Sequence, residues 1–256
     1  MNTDKISKVN LLGLDVYKMN MNDVLELCKQ RIASRKQLLL GVVNVAKLVN
    51  SQKNEQLRKS VKDADVVLAD GLAVVWLSKL IGNPLPERVA GIDIMTNLFE
   101  SADKMNYRVY FLGAKKSVVE KVVDYVGGNH PGLIVAGYRD GYFNEDEYKS
   151  VAQEIKYSNA DILFVAMTSP KKEKFLSRWS EYMNIPVCHG VGGSFDVVAG
   201  VTKRAPVWMQ DIGMEWFYRV LQEPRRMWKR YLVTNSIFAG LALKAFVQAR
   251  LGIAKP

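Results

Sequence analysis

Short apolar runs separated by amphipathic stretches of helical length constrain this chain more than any other feature. The runs cover residues 9–16, 38–43, 66–69, 109–112, 133–137, 162–167 and 187–191. Between them, residues 21–33, 45–61, 72–81, 92–105, 117–126, 145–157 and 171–183 carry apolar side chains at helical spacing. Strands of four to eight residues alternating with helices specify an α/β fold: a Rossmann-like, largely parallel sheet with helices on both faces. Ligands of such folds collect in the loops that leave the carboxyl ends of the strands. Here those loops hold Asn44, Asp70-Gly71, Gly113-Ala114-Lys115, residues 138–143, residues 168–173 and residues 190–196.

Charge divides the chain once, near Val201. Of the net +10, the last 56 residues hold +7, with ten basic residues against Asp211, Glu215 and Glu223. Three of the five tryptophans, Trp208, Trp216 and Trp228, lie there too. The organisation expected is an α/β body over residues 1–200 and a basic, amphipathic helical appendage over residues 201–256. The appendage reads as two helices, residues 207–222 and a second one opened by Pro224. Arg225, Arg226, Lys229 and Arg230 share one face of its first two turns. A basic, aromatic tail on a nearly neutral body fits a polyanion or an anionic membrane surface. Nucleic acid is disfavoured, because these cations follow one helix beside a lipid-compatible face.

The longest uncharged stretch near the C-terminus, residues 231–243, falls short of the roughly 20 residues of a spanning helix, so no transmembrane segment is expected. Met1 to Asn10 lacks the order of a secretory signal, which makes export unexpected. Cys28 and Cys188 have no metal or redox spacing and suit a reducing cytoplasm.

Several motifs carry chemistry together with an ordinary structural reading. Asp70 is placed to act as a general base or to cap the next helix. Arg88, in a proline-braced loop, can fork onto a diphosphate or pair with Glu87 or Asp93. Gly190 to Gly193 lets backbone amides approach a phosphate, but Phe195 stands where a dinucleotide fingerprint requires its third glycine. Residues 113–117 lack the glycine and Gly-Lys-Ser order of a P-loop. Asp63-Ala64-Asp65 matches the D-x-D of metal-dependent sugar-nucleotide enzymes but precedes its strand, and reads as a helix-to-strand turn. No cluster has metal-ligand spacing, so no metal is expected.

In order along the chain, Asn44, Ala69-Asp70-Gly71, Pro86-Glu87-Arg88-Val89-Ala90-Gly91, Phe111-Leu112-Gly113 and Gly141-Tyr142-Phe143 form the first half of a pattern. Ser169-Pro170-Lys171-Lys172-Glu173, residues 192–196, Lys203-Arg204-Ala205-Pro206, residues 215–219 and Glu223-Pro224-Arg225-Arg226 complete it. This ordered set resembles the WecG/TagA/CpsF family of bacterial glycosyltransferases. The resemblance implies an inverting, metal-independent transferase. It would move a sugar from a UDP-sugar to a polyprenyl-diphosphate-linked saccharide in cell-surface polysaccharide synthesis, such as teichoic acid, capsule or exopolysaccharide. It would work in the cytoplasm, peripherally on the inner face of the cell membrane.

By the same resemblance Asp70 matches the base, and Asn44 and Arg88 match donor-side contacts. Tyr142 and Asp196 match residues near the uracil and ribose, and the Gly192 and Gly193 amides suit the phosphates. Arg219, Arg225, Arg226 and Arg230 match appendage arginines that meet the acceptor diphosphate and the membrane. Two positions depart from the pattern: Val42 stands where many members carry Thr, and Lys172 where many carry Gln. Both would face the donor sugar, which points to a donor other than N-acetylmannosamine. A cationic Lys172 would favour an acidic sugar or stabilise the departing phosphate. The reading from another class is a non-catalytic adaptor whose body binds a nucleotide to regulate the tail. Homo-oligomer formation is left open.

Overall fold

The computed structural model describes residues 3–251, without the side chains of Asp4 and Arg226. A two-stranded antiparallel sheet, β1 (Lys8–Leu11) and β2 (Leu14–Tyr17), precedes the main sheet. The strands of the main sheet are β3 (Leu38–Val43), β4 (Val66–Ala69), β5 (Arg108–Gly113), β6 (Ile134–Arg139), β7 (Ile162–Ala166) and β8 (Val187–Gly190). Through the body run α1 (Met21–Ser34), α2 (Val45–Ser51), α3 (Glu55–Lys62), α4 (Leu72–Leu80), α5 (Gly91–Met105), α6 (Lys116–Asn129), α7 (Tyr148–Tyr157), α8 (Lys171–Met183) and α9 (Ser194–Val198). The chain ends in α10 (Val207–Asp211), α11 (Glu215–Gln222) and α12 (Pro224–Arg250).

All six main strands run parallel in the order β4-β3-β8-β7-β5-β6. Apolar side chains pointing both ways from these strands need cover on both faces. One face is covered by α1, α5, α6 and α9 through Val24, Phe99, Val122 and Phe195. The other is covered by α2, α3, α7 and α8 through Leu48, Leu57, Ile155 and Phe175. Along β3 the alternation is explicit, with Val42 in one core and Val43 in the other. The expected Rossmann-like α/β architecture, with helices on both faces and a C-terminal helix, is therefore observed.

Four local expectations are corrected. Residues 9–16 are not one strand of the main sheet: a turn at Leu12-Gly13 folds them into the β1–β2 hairpin. The stretch 45–61 divides because Asn54 starts a new helix, its side chain accepting the Leu57 N–H at 2.9 Å. The stretch 207–222 divides at Gly213, whose φ of +73° is left-handed and whose missing Cβ leaves room for Trp76, 3.0 Å from where that atom would stand. Finally, α12 runs unbroken for 27 residues, and Met227–Arg250 is long and apolar enough to cross a membrane by length and composition alone. Counting only uncharged residues missed this, because the isolated Lys244 does not interrupt the helix. In the structure α12 lies against α2, with Phe238, Ala242 and Ala245 packed on the apolar core.

Candidate active site

The helix after β3, α2, packs on one face of the sheet, and the helix after β8, α9, packs on the other. Neighbouring strands whose connections leave to opposite faces open a crevice at their carboxyl ends. Asn44 and Lys47 line it from β3 and α2, Gly192 and Gly193 from the loop after β8, and Asp70 from the end of β4, beside β3.

Asp70 continues the ladder, its N–H donating to the Val43 carbonyl at 2.8 Å. The cap of α4 is Gly71, at φ +138°, with no side-chain hydrogen bond, so the Asp70 carboxylate is not spent on capping. Burial pushes its pKa up and the negative charge of Glu215 adds to the rise, against the opposing pull of Lys47, Arg219 and Arg88. A carboxylate with raised proton affinity, ringed by cations, suits proton abstraction beside a diphosphate.

The loop carrying Arg88 lies alongside, because the Val89 N–H donates to the Ala69 carbonyl at 2.9 Å. Arg88 pairs with Asp93 at 3.3 Å, as its structural reading foresaw, and also with Glu215 at 3.0 Å. Arg204 joins the same carboxylates, 2.6 Å from Asp93 and 3.8 Å from Glu215. Arg219 reaches the glycine loop: its guanidinium nitrogens lie 3.8 and 4.0 Å from where a Gly193 Cβ would be, and an Asp196 carboxylate oxygen is also 3.8 Å from that point. Gly192, at φ +56°, has nothing within 4 Å of its own Cβ position and leaves the loop open to a ligand.

Asn44 caps α2, its side-chain oxygen accepting the Lys47 N–H at 3.1 Å. Beneath it lies a buried charge cluster. Glu173 accepts from Lys172 at 2.7 Å and lies 3.0 Å from Lys47, whose ammonium also donates to the Val42 carbonyl at 2.8 Å. Burial and the neighbouring Lys47 push the Lys172 pKa down to about 8 against the pull of Glu173. For Glu173, burial acts upward, but the two lysines prevail and hold it at about 2. Its second oxygen has no hydrogen-bond partner among the described residues, and Glu173 is one of the residues lining a cavity of about 30 Å³. Below the glycine loop His189 is wholly buried between the Leu40 and Gly91 carbonyls, and burial pushes its pKa down to about 4. It ties β3 to the start of α5.

Tyr142 is 73% exposed in the loop after β6, which folds back over the ends of β5 and β7: the Gly141 N–H donates to the Ala114 carbonyl at 2.9 Å, and Lys171 donates to the Gly141 and Phe143 carbonyls at 3.0 and 2.6 Å. Arg225 and Arg230 are exposed in the first two turns of α12, with no ion-pair partner among the described residues. The side chain of Arg226 lies outside the described residues. Asp63 and Asp65 are occupied at the opposite sheet edge: Asp63 accepts from Ser177, and Asp65 accepts the Leu39 N–H at 2.7 Å. The turn reading of that motif is the observed one. Among the described residues no three His, Cys, Asp or Glu side chains gather as a metal site. Cys28 and Cys188 are free and buried, which pushes both thiols up to about 12.

Sequence reasoning singled out no role for Lys47, Glu173, Arg204 or Glu215. The last three fall inside the motifs quoted above, and Lys47 lies one helical turn from Asn44, so position was the available signal and partnership was not.

This geometry defines an α/β fold whose crevice sets a buried carboxylate, Asp70, among Lys47, Arg88 and Arg219. Residues 9–252 match the Glycosyl transferase WecG/TagA/CpsF family, and the chain belongs to that family. It is 40% identical over 182 residues to a Bacillus spizizenii protein named N-acetylglucosaminyldiphosphoundecaprenol N-acetyl-beta-D-mannosaminyltransferase, covering 71% of this chain and 70% of the relative. A Bacillus subtilis protein of the same name is 40% identical over 172 residues, covering 67% of this chain and 66% of that relative. Membership makes the chain a glycosyltransferase and sets the non-catalytic adaptor aside.

Proposed function

We propose that this protein transfers an N-acetylhexosamine from a UDP-sugar to a sugar carried on a polyprenyl diphosphate, with inversion at the anomeric carbon and without a metal ion. The observation that carries the reading is Asp70: a carboxylate not used as a cap, with raised proton affinity, among Lys47, Arg88, Arg204 and Arg219. The acceptor hydroxyl oxygen attacks the anomeric carbon while its proton passes to Asp70. The bond from that carbon to the diphosphate oxygen breaks, and UDP leaves with the electron pair. Arginines and the Gly192-Gly193 amides would stabilise the departing charge, the part a divalent ion plays in other sugar-nucleotide enzymes. Metal independence is supported by the commitment of Asp63 and Asp65 to structural bonds at the other sheet edge.

The names of the two Bacillus relatives support the acceptor class and make N-acetylmannosamine the first donor to test. Lys172 already has Glu173 as a counterion, which removes the ground for an acidic donor sugar. Val42 remains the position from which a different neutral donor would be argued. The basic first turns of α12 and the exposed Trp228 and Leu232 support a site on an anionic membrane surface, where a polyprenyl carrier resides.

The test is UDP release from UDP-N-acetylmannosamine, and from other UDP-N-acetylhexosamines, with polyprenyl-diphosphate N-acetylglucosamine as acceptor. Release that requires the acceptor and yields an inverted linkage is expected. Absence of acceptor-dependent release with every UDP-sugar overturns the reading.

A further inference from the structure

Glu215 opens α11 and turns toward the body. It meets Arg88 at 3.0 Å and Arg204 at 3.8 Å, while the same two arginines hold Asp93 at 3.3 and 2.6 Å. Two cations and two carboxylates thus close a ring that joins the loop before α5 to the first residue of α11. No residue of α11 is fully buried, so apolar packing alone holds its register weakly. Arg219 stands four residues after Glu215, on the same helix face, and is the side chain that reaches Gly193.

We propose that Glu215 is a positioning residue for sugar transfer: by engaging Arg88 and Arg204 it seats α11 on the body and holds Arg219 over the Gly192-Gly193 loop, where a donor diphosphate would lie. The inference rests on the reaction proposed above. It has a second consequence at the base. The charged groups facing Asp70 are Glu215 and Arg219 from α11, Lys47 from α2, Arg88 from the loop before α5 and Arg204 from the segment before α10. Of these, only Glu215 favours the protonated carboxyl. With Arg219 removed from both sides of the comparison, taking away the Glu215 charge lowers the proton affinity of Asp70, an effect that a purely structural tie would not have.

Wild type, Glu215→Gln, Arg219→Gln and the double variant are compared by UDP release from UDP-N-acetylmannosamine with polyprenyl-diphosphate N-acetylglucosamine, across the pH range in which each stays folded. Glu215→Gln is expected to lower kcat roughly ten- to a hundredfold, the effect of a misplaced charge contact. The double variant is expected to fall within about twofold of Arg219→Gln alone, because both changes remove one function. The acid limb of the kcat/KM profile should lie at lower pH in the double variant than in Arg219→Gln, a comparison in which Arg219 contributes to neither. Should Glu215→Gln fail to fold by circular dichroism, Arg204→Gln tests the same ring from its other side through its coupling to Arg219. A Glu215→Gln rate within about twofold of wild type, or single losses that multiply in the double variant, overturns the inference while leaving the reaction standing. An acid limb at the same pH in the double variant and in Arg219→Gln does the same. A wild type that releases no UDP overturns the reaction and the inference together.

Discussion

Asp70 carries the argument at the scale of single residues, and its behaviour with pH follows from its surroundings. Catalysis requires the carboxylate, and burial together with Glu215 raises the pKa above the ordinary 3.8. Turnover should therefore fall as pH drops through that raised value, placing the acid limb of kcat/KM above the pH at which an ordinary aspartate protonates. An acid limb at or below 3.8 would remove Asp70 as the titrating base. Asp70→Asn should lower turnover about a hundredfold to ten-thousandfold while UDP binding, measured by calorimetry, stays near wild type. Near-normal turnover in that variant would leave Asp70 without a catalytic role. EDTA should leave the rate unchanged, since the carboxylates of the one D-x-D motif bond Ser177 and the Leu39 N–H. Loss of activity restored by Mg²⁺ or Mn²⁺ would contradict this.

Between elements, the Glu173 cluster is the tie with the largest expected consequence. It joins the first turn of α8 to the first turn of α2 beneath Asn44, with Glu173 and Lys172 buried and Lys47 partly so. The folded pKa of Glu173, about 2, lies below the ordinary 4.5. The stability it contributes is thus fully present above pH 4.5 and is lost as pH falls toward 2. Glu173→Gln leaves the Lys172 and Lys47 ammonium groups without a counterion and should cost roughly 3–5 kcal/mol, read from urea denaturation at neutral pH. The variant should also lose the acid sensitivity of stability in that window. A cost below about 1 kcal/mol, the scale of an exposed pair, would show that water reaches the cluster.

At the scale of the whole molecule, the C-terminal cations divide by what they meet. Arg219 reaches the glycine loop and contacts the site, whereas Arg230 is exposed without an ion-pair partner among the described residues. Arg219→Gln should therefore damage transfer while leaving liposome binding almost unchanged. Arg230→Gln should weaken co-sedimentation with anionic liposomes about fivefold, from roughly 1 kcal/mol per basic residue, and the difference should vanish at high salt. If transfer and liposome binding fall in strict proportion across both variants, the tail acts only as an anchor.

Much of this protein was legible before any tertiary contact was known. Periodicity is a local property: an apolar run such as Leu38–Val43 can hide both faces only inside a covered parallel sheet, and the loop after such a strand must carry the ligand-facing residues. Asn44, Asp70 and the Gly192-Gly193 loop follow from that alone. Element breaks at Asn54 and Gly213 were less visible, because a cap and a close approach to Trp76 decide them. What only the tertiary structure decided is which charges meet. Strand order places β4 and β8 on either side of β3, although long stretches of chain separate them. That order brings Lys47, after β3, to Glu173, after β7, on one face of the sheet, and the docking of α11 on the body brings Arg88 to Glu215 across 127 residues. The sequence determined which residues stand at the carboxyl edge, because chain-local spacing sets it. Their partners depended on crossovers between distant strands, and no local spacing encodes those.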